Sequence, residues 1–552
     1  MHDTVDVEIE LPEYEVLNPA GQAQHAVARA PNGRLASLSG KVVFCISQVI
    51  GGADKFIGQV AELLPDVAPG VKTVFVRRGS TYMSDEPALW ERVLAEADAV
   101  IYGCGACGSC SMWGTHWSVE LEKRGVPCVY VVDEPFRADV EVSCQKEGMP
   151  ALRRVHVPHP CDMIAEPDMR EITAQLVTAL TRPLTERELT AGSQREQVQD
   201  RIAFKGSLED VNQFFINRDW TDGLPVMPPT ERVVARMLEN TSHGRDEVVA
   251  EKFHPEGYRV TVEKVAIVAA MANCPPATLP VLLSIVEAVS APAFASCVRS
   301  TTAFSLATIV GGPIASHIGM NAGVNALGAG TGNSVNACIG RFVRLALICL
   351  GGSRSGVSDL SSIGNPSKYS FAFTENVKES PWAPWATERG FGASDDVVTV
   401  MYGGWNFLSP FARFMADVKL GLDAMARGIA QFEMPRGALL LLDPIVADKL
   451  AAAGYGKSDV ADYLWEHATR TARDFRSDYF YGAFMEQGIK GQGAAYQTRR
   501  WPQSYLTAPD EEILKVFPRD SIEIVVVGGR TNPMSQAWSF QNPTSVKVDK
   551  WK

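Results

Sequence analysis

Between positions 41 and 181, short apolar runs alternate with stretches of helix length, and this alternation narrows the fold more than any other feature of the chain. Val42-Val43-Phe44-Cys45-Ile46 reads as a first strand followed by a helix over 56–64, and Thr73-Val74-Phe75-Val76 as a second followed by a helix over 87–97. Ala99-Val100-Ile101-Tyr102 is the third run, positions 128–132 the fourth and Val155-His156-Val157 the fifth, before a helix over 168–180. Strands separated by helices must return through crossovers, which gives a parallel sheet covered on both faces. The expected class is α/β: a flavodoxin-like, doubly wound parallel sheet in the N-terminal domain, with a larger α/β domain after it. In that strand order, strands one and three flank the point where the winding reverses, and ligands gather beyond the carboxyl ends of the strands there.

The third strand runs directly into Gly103-Cys104-Gly105-Ala106-Cys107-Gly108-Ser109-Cys110, so three of the chain's eleven cysteines fall within seven residues. Trp113, Trp117 and Leu121 then follow at helical spacing, with Gly125 and Pro127 as the stop. A cysteine turn between a strand and a helix start meets unpaired N–H groups and partial positive charge. The dipole contributes about 0.3–1 kcal/mol against about 1.4 kcal/mol per pKa unit. A thiol starting near ~8.5 therefore needs a second contributor to be fully ionised at neutral pH. His116 is the nearest candidate, sharing a helix face with Ser109 if the helix begins there. Two other readings stand beside this one. Cys104, Cys107, Cys110 and His116 form a complete tetrahedral set for a metal ion such as zinc. The cysteines can also be inert small hydrophobes, His116 a satisfied helix histidine, and the two tryptophans core.

Cys107-Gly108-Ser109-Cys110, with Trp113, His116, Leu121-Glu122, Arg124-Gly125-Val126-Pro127 and Val157-Pro158-His159-Pro160, resembles the UGSC family over roughly residues 40–185. That family is named for a selenocysteine-Gly-Ser-Cys motif, and many members carry cysteine at the first position. The resemblance implies that Cys107 holds the selenocysteine position and Cys110 is its resolving partner; Cys104 lies outside that motif, and its place in the turn makes it a candidate outer resolving thiol. It implies thiol or selenol redox chemistry and assigns no substrate. More distantly, the motif is similar to the selenol subunits of the glycine, sarcosine and betaine reductases. The later segment Asp222-Gly223-Leu224-Pro225, with Gly311-Gly312-Pro313 and Asn325-Ala326-Leu327-Gly328, is similar to a C-terminal region often joined to or encoded beside UGSC domains.

A length of 552 residues predicts several domains. Residues 1–38 read as a surface arm, 39–185 as the cysteine domain, 186–212 as a charged linker and 213–552 as a substrate-binding α/β domain. The net charge of -12, with no basic patch to offset it, argues against a nucleic-acid partner. No apolar run approaches the roughly 20 residues of a membrane span. Sparse cysteines without a leader pattern fit a reducing cytoplasm. In the second half, the small-residue, amide-rich stretch 320–334 is the expected substrate loop: Asn321, Gly323, Asn325, Gly328 and Asn333 can present N–H groups to a carboxylate or phosphate. His159, after the fifth strand, is expected to help bind substrate from the cysteine side, and Ser47 to Gly52 can cradle an anion or form a plain turn.

The leading expectation is an enzyme in which Cys107 attacks or reduces a small electrophilic, anionic substrate and Cys110 resolves the adduct, an external thiol or dithiol restoring the pair. The alternatives are a metal-dependent hydrolase, hydratase or lyase using the four-residue ligand set, and a non-catalytic metal-handling or redox-sensing protein. No cofactor is expected beyond a metal ion at the cysteine cluster. A homo-oligomer is expected.

Overall fold

The computed structural model describes residues 12–552 apart from 25–26, 49–51, 192–198, 405–406, 410, 434, 479–480, 482–484 and 491–500. Strand β1 (Tyr14–Leu17) precedes five strands that alternate with helices: β2 (Val42–Ser47), α1 (Ala53–Val67), β3 (Lys72–Arg77), α2 (Pro87–Glu96), β4 (Ala99–Gly105), α3 (Gly108–Lys123), β5 (Cys128–Asp133), α4 (Arg137–Lys146), β6 (Arg154–Val157) and α5 (Glu166–Thr181). The five pair in parallel in the order β3-β2-β4-β5-β6, the flavodoxin-like order. Helices α1 and α5 cover one face, through Phe56, Ile57, Val60, Ile172 and Leu176. Helices α2, α3 and α4 cover the other, through Trp90, Trp117, Leu121 and Val140. Every residue of β4 and β5 is buried, which is why both read as unbroken apolar runs.

One irregularity decides where the cysteines go. Tyr102 pairs with Tyr130, but Gly105 pairs with Val132, so three residue steps on β4 span two on β5. The extra residue is a β-bulge at Gly103-Cys104 and shifts the side-chain alternation by one. A Cβ on Gly103 would lie 2.8 Å from Val131 Cβ, so this bulge closes on its neighbour only with glycine there. As a result Cys104 joins Ile101 on the α1/α5 face, while the turn that follows leaves on the other side.

After β7 (Ile202–Gly206) and the hairpin β8 (Val248–Phe253)–β9 (Tyr258–Thr261), the C-terminal half builds two sheets. The first contains β10 (Ser305–Gly311), β11 (Ala372–Thr374), β12 (Val397–Gly403) and, from the chain's end, β19 (Gln541–Lys547), in the order β11-β10-β12-β19. The second contains β13 (Phe407–Leu408), β14 (Ala438–Leu442), β17 (Ile522–Val526) and β18 (Ser535–Trp538), in the order β13-β18-β14-β17. A small pair, β15 (Thr469–Thr471) with β16 (Ile513–Lys515), lies between β14 and β17 in sequence. The sheets meet face to face through Ile309, Phe373, Met401, Leu439, Leu441, Val525 and Phe540. Helices Val262–Met271, Leu279–Val289 and Ser334–Cys349 pack outside the first sheet, and Val418–Ile429, Pro444–Ala452 and Lys457–His467 outside the second. The half is a four-layer helix-sheet-sheet-helix sandwich.

Three expectations are corrected. The described part of 1–38 is not a surface arm: β1 pairs antiparallel with β7, and Val16 and Leu17 are buried in the C-terminal core. Farther along the same segment, Arg34 and Glu122 form a fully buried ion pair on the N-terminal domain. The stretch 186–212 is not wholly a solvated linker, since it holds a short helix, Glu186–Thr190, and all of β7, and Arg153 clasps Glu188. The apolar spacing over 407–430 predicts one amphipathic helix, but the chain breaks it at Asp417, whose carboxylate caps a new helix by accepting from the N–H groups of Lys419 and Leu420. The loop residues 49–51 lie outside the described residues.

Candidate functional site: a disulfide at the sheet's carboxyl edge

Cys107 and Cys110 are joined in a disulfide, with Cα atoms 5.2 Å apart. Cys107 is the N-cap of α3 in extended conformation, and the N–H of Cys110 donates to its sulfur at 3.2 Å. That donor, together with the helix dipole, stabilises negative charge on Cys107 once the bond is opened. The two sulfurs sit in unequal surroundings. Cys110 is fully buried beneath Tyr82 and Met83, whereas Cys107 is half-buried at the edge of the same small cluster.

The loop bearing Tyr82 and Met83 is held from below by Arg78, whose side chain is 0% exposed. Its guanidinium donates to Glu86 at 2.7 Å, to the Tyr82 carbonyl at 3.1 Å and to the Tyr102 hydroxyl at 3.0 Å, and it faces the rings of Trp90 and Trp117. Trp117 also donates to the Tyr82 carbonyl, and the Tyr82 hydroxyl hydrogen-bonds Ser109 at 2.8 Å. Two turns of α3 and one loop are thus fastened to the carboxyl edge of the sheet around Cys110.

The C-terminal half closes the site. A Cβ on Gly108 would lie 3.5 Å from the Arg299 and Ser300 backbone, and Ser296 hydrogen-bonds Met83. Arg299 is fully buried and bridges the halves, donating to Asp139 of α4 at 2.7 Å and to Glu256 at the β8–β9 turn at 3.0 Å. Burial pushes the Asp139 carboxyl up to about 6 even against the pull of Arg299.

The residues expected from sequence separate into distinct places. His116 does not reach the sulfurs. It lies nine residues beyond the N-cap, about 13 Å along the axis at 1.5 Å per residue, and its Nδ1 pairs with Glu147 at 3.2 Å. Cys104 is turned to the opposite face by the bulge, is fully buried, and has its thiol pKa raised by desolvation and by neighbouring Cys161. It is therefore placed neither as an outer resolving thiol nor as a ligand beside Cys107 and Cys110. The four-residue metal set Cys104, Cys107, Cys110 and His116 is not assembled, and the hydrolase, hydratase or lyase built on it loses its centre.

Among the described residues, the His, Cys, Asp or Glu groups whose ligand atoms all lie within 4.8 Å of one another include Cys104, Asp133 and Cys161. His159 stands next to this trio, its Nδ1 2.7 Å from Asp133 Oδ2, with its side chain 43% exposed. Desolvation raises the Asp133 carboxyl, and the hydrogen bond from His159 partly offsets it.

The amide-rich loop is occupied with itself. Asn321 accepts from Gly323 and donates to Val324, Asn325 donates to Ala329, and the Asn333 amide donates to the carbonyls of Asn325, Ala326 and Gly328. Met320 and Ala322, at its start, line a cavity of about 400 Å³ with Gly312, Glu375, Asn376 and Trp385. That cavity opens beyond the carboxyl end of β10, while the residues touching Gly108 precede its amino end. Seven residues of strand separate the two, about 20 Å. The segment laid over the cysteine turn is 296–300, not the expected loop.

Sequence reasoning missed Arg78, Tyr82, Arg299 and Cys161. A buried arginine in a run such as Val76-Arg77-Arg78-Gly79 carries no signal separating it from its solvated neighbour, and the partners of Arg299 lie 160 and 43 positions away.

Residues 15–186 match the model of the UGSC family. No curated protein and no solved structure matches the chain.

Proposed function

Starting from a UGSC-family domain over residues 15–186, we propose that the protein is a thiol-dependent oxidoreductase in which Cys107 is the attacking thiol and Cys110 the resolving one. The observation that carries this reading is the asymmetry of the pair. One sulfur is half-buried at a helix start and accepts an N–H, and its partner three residues on is fully buried.

In the reduced state, the Cys107 thiolate attacks the electrophilic atom of a small substrate and forms a covalent adduct. The Cys110 sulfur then attacks Cys107, the adduct bond breaks, and its electron pair leaves with the product, which takes up the Cys110 proton. Two electrons pass to the substrate and the disulfide forms. An external thiol or dithiol returns the pair to the dithiol state. The remaining described cysteines are all buried, so the exchange is confined to this pair.

The test is trapping. Protein reduced and then exposed to an activated aromatic disulfide should release one chromophore on attack by Cys107 and a second when Cys110 displaces the mixed disulfide and closes the intramolecular one. Cys110→Ser should stop at a stable mixed disulfide on Cys107, found by peptide mass mapping. Cys107→Ser should react far more slowly, because Cys110 is covered. Equal labelling of both single variants would overturn the assignment of roles. An adduct on neither would remove the redox reading.

A further inference from the structure

We propose that Cys104, Asp133 and Cys161 form a binding site for one divalent cation of the zinc class, on the face of the sheet opposite the disulfide and independent of it. The three donors come from separate segments that converge at the carboxyl edge: the bulge of β4, the last residue of β5, and the 3-10 turn Cys161–Met163 after β6. All three residues are fully buried, and their ligand atoms lie within 4.8 Å of one another.

The donor chemistry selects the ion. Two sulfurs and one carboxylate suit zinc and its borderline relatives, whereas magnesium and calcium require six or more oxygens. A cysteine pair serving only as small core hydrophobes would be surrounded by apolar side chains, as Val131 and Ile57 surround one side of this site. Here a carboxylate is buried with the thiols instead: Cys161 hydrogen-bonds to it through backbone and side chain, while its Oδ1 keeps no hydrogen-bond partner. An unpartnered buried carboxylate oxygen is costly, and a bound cation satisfies it. The other oxygen, Oδ2, is held by His159 Nδ1 at 2.7 Å, the kind of outer contact that orients a ligating carboxylate.

On binding, the cation replaces the thiol protons, which pass to solvent. Three protein donors leave one position of a tetrahedral ion for a water or a substrate atom. The site stands whether or not Cys107 is the reactive thiol.

The experiment uses the full chain, reduced, stripped of metal and handled anaerobically, titrated with Zn²⁺ alone and with Co²⁺ alone as an optical probe. The expected result is one equivalent bound, with a near-ultraviolet thiolate-to-cobalt charge-transfer band that is retained in the double variant Cys107→Ser/Cys110→Ser. His159→Gln should weaken the affinity by about 10–100-fold, and Cys161→Ser and Asp133→Asn by more. Asp133→Asn keeps the side-chain shape, so it carries the test if Cys161→Ser does not fold. No metal uptake by the wild-type chain would overturn the site. So would loss of the band in the double variant, or recovery of Cys104 and Cys161 as a mutual disulfide from native protein.

Discussion

At the scale of single residues, the behaviour of the cysteine turn follows from what each side chain touches. Cys107 has an N–H donor and an open edge, while Cys110 has Tyr82 and Met83 above it. Tyr82→Phe keeps the cover but removes the hydrogen bond to Ser109, so we expect a loss of about 0.5–1.5 kcal/mol in denaturant unfolding and faster alkylation of Cys110 in reduced protein. His116→Gln should leave the rate of Cys107 labelling unchanged, because the imidazole serves Glu147 rather than the sulfurs. A clear drop in that rate would restore His116 to the site. The chemistry of the Cys-Gly-Ser-Cys segment was legible in sequence because four adjacent residues contain it. The fate of Cys104 was not, since equal spacing at 104, 107 and 110 says nothing of a bulge that depends on how β4 pairs with β5.

At the scale of elements, the alternation of apolar runs and helices determines the five-stranded order because each run is buried on both faces and needs a crossover. Helix α4 was invisible: Arg137–Lys146 buries Asp139 and Ser143 alongside Val140 and Cys144, and a buried face containing an aspartate does not read as apolar. Strand β1 was likewise hidden, because its partner β7 lies far along the chain. Close packing of α3 on the sheet gives a sharper test. A Cβ on Gly114 would fall 2.2 Å from the Tyr130 hydroxyl, whose ring is fully buried. Gly114→Ala gains about 1 kcal/mol of intrinsic helix propensity, yet overpacking costs about 1–3 kcal/mol. We expect net destabilisation in urea unfolding. A stabilised variant would mean that α3 stands farther from β5.

At the scale of the whole molecule, Arg299 is a fully buried link between the halves. Arg299→Met leaves Asp139 and Glu256 buried without their cation and should cost about 3–5 kcal/mol, with faster reduction of the disulfide. Adding Asp139→Asn and Glu256→Gln should recover much of the stability. Three groups shifted by desolvation contribute to the pH dependence, Asp139 fully buried and His254 and His156 half-buried. Burial holds His254 and His156 down to about 4, so the unfolded chain binds more protons near pH 5 and stability falls as pH drops from about 6.5 toward 4. Asp139, pushed up to about 6, acts in the opposite sense: its folded form takes the proton first, so it adds stability as pH falls from about 6 toward 4. Stability should decline on mild acidification, and more steeply in Asp139→Asn. An identical slope in that variant would show that Asp139 is not held as the structure places it.

Cys107 and Cys110 are proposed as a reversible redox pair with Cys107 as the reactive sulfur. The most direct measurement is a thiol-disulfide titration of the full chain in a dithiol buffer series, with each sample quenched by alkylation and its cysteines mapped by mass spectrometry. The expected result is a single two-electron transition confined to Cys107 and Cys110, with Cys107 alkylated first as the pair opens. A pair that stays fully reduced or fully oxidised across the series, or alkylation that begins at Cys110, would contradict it.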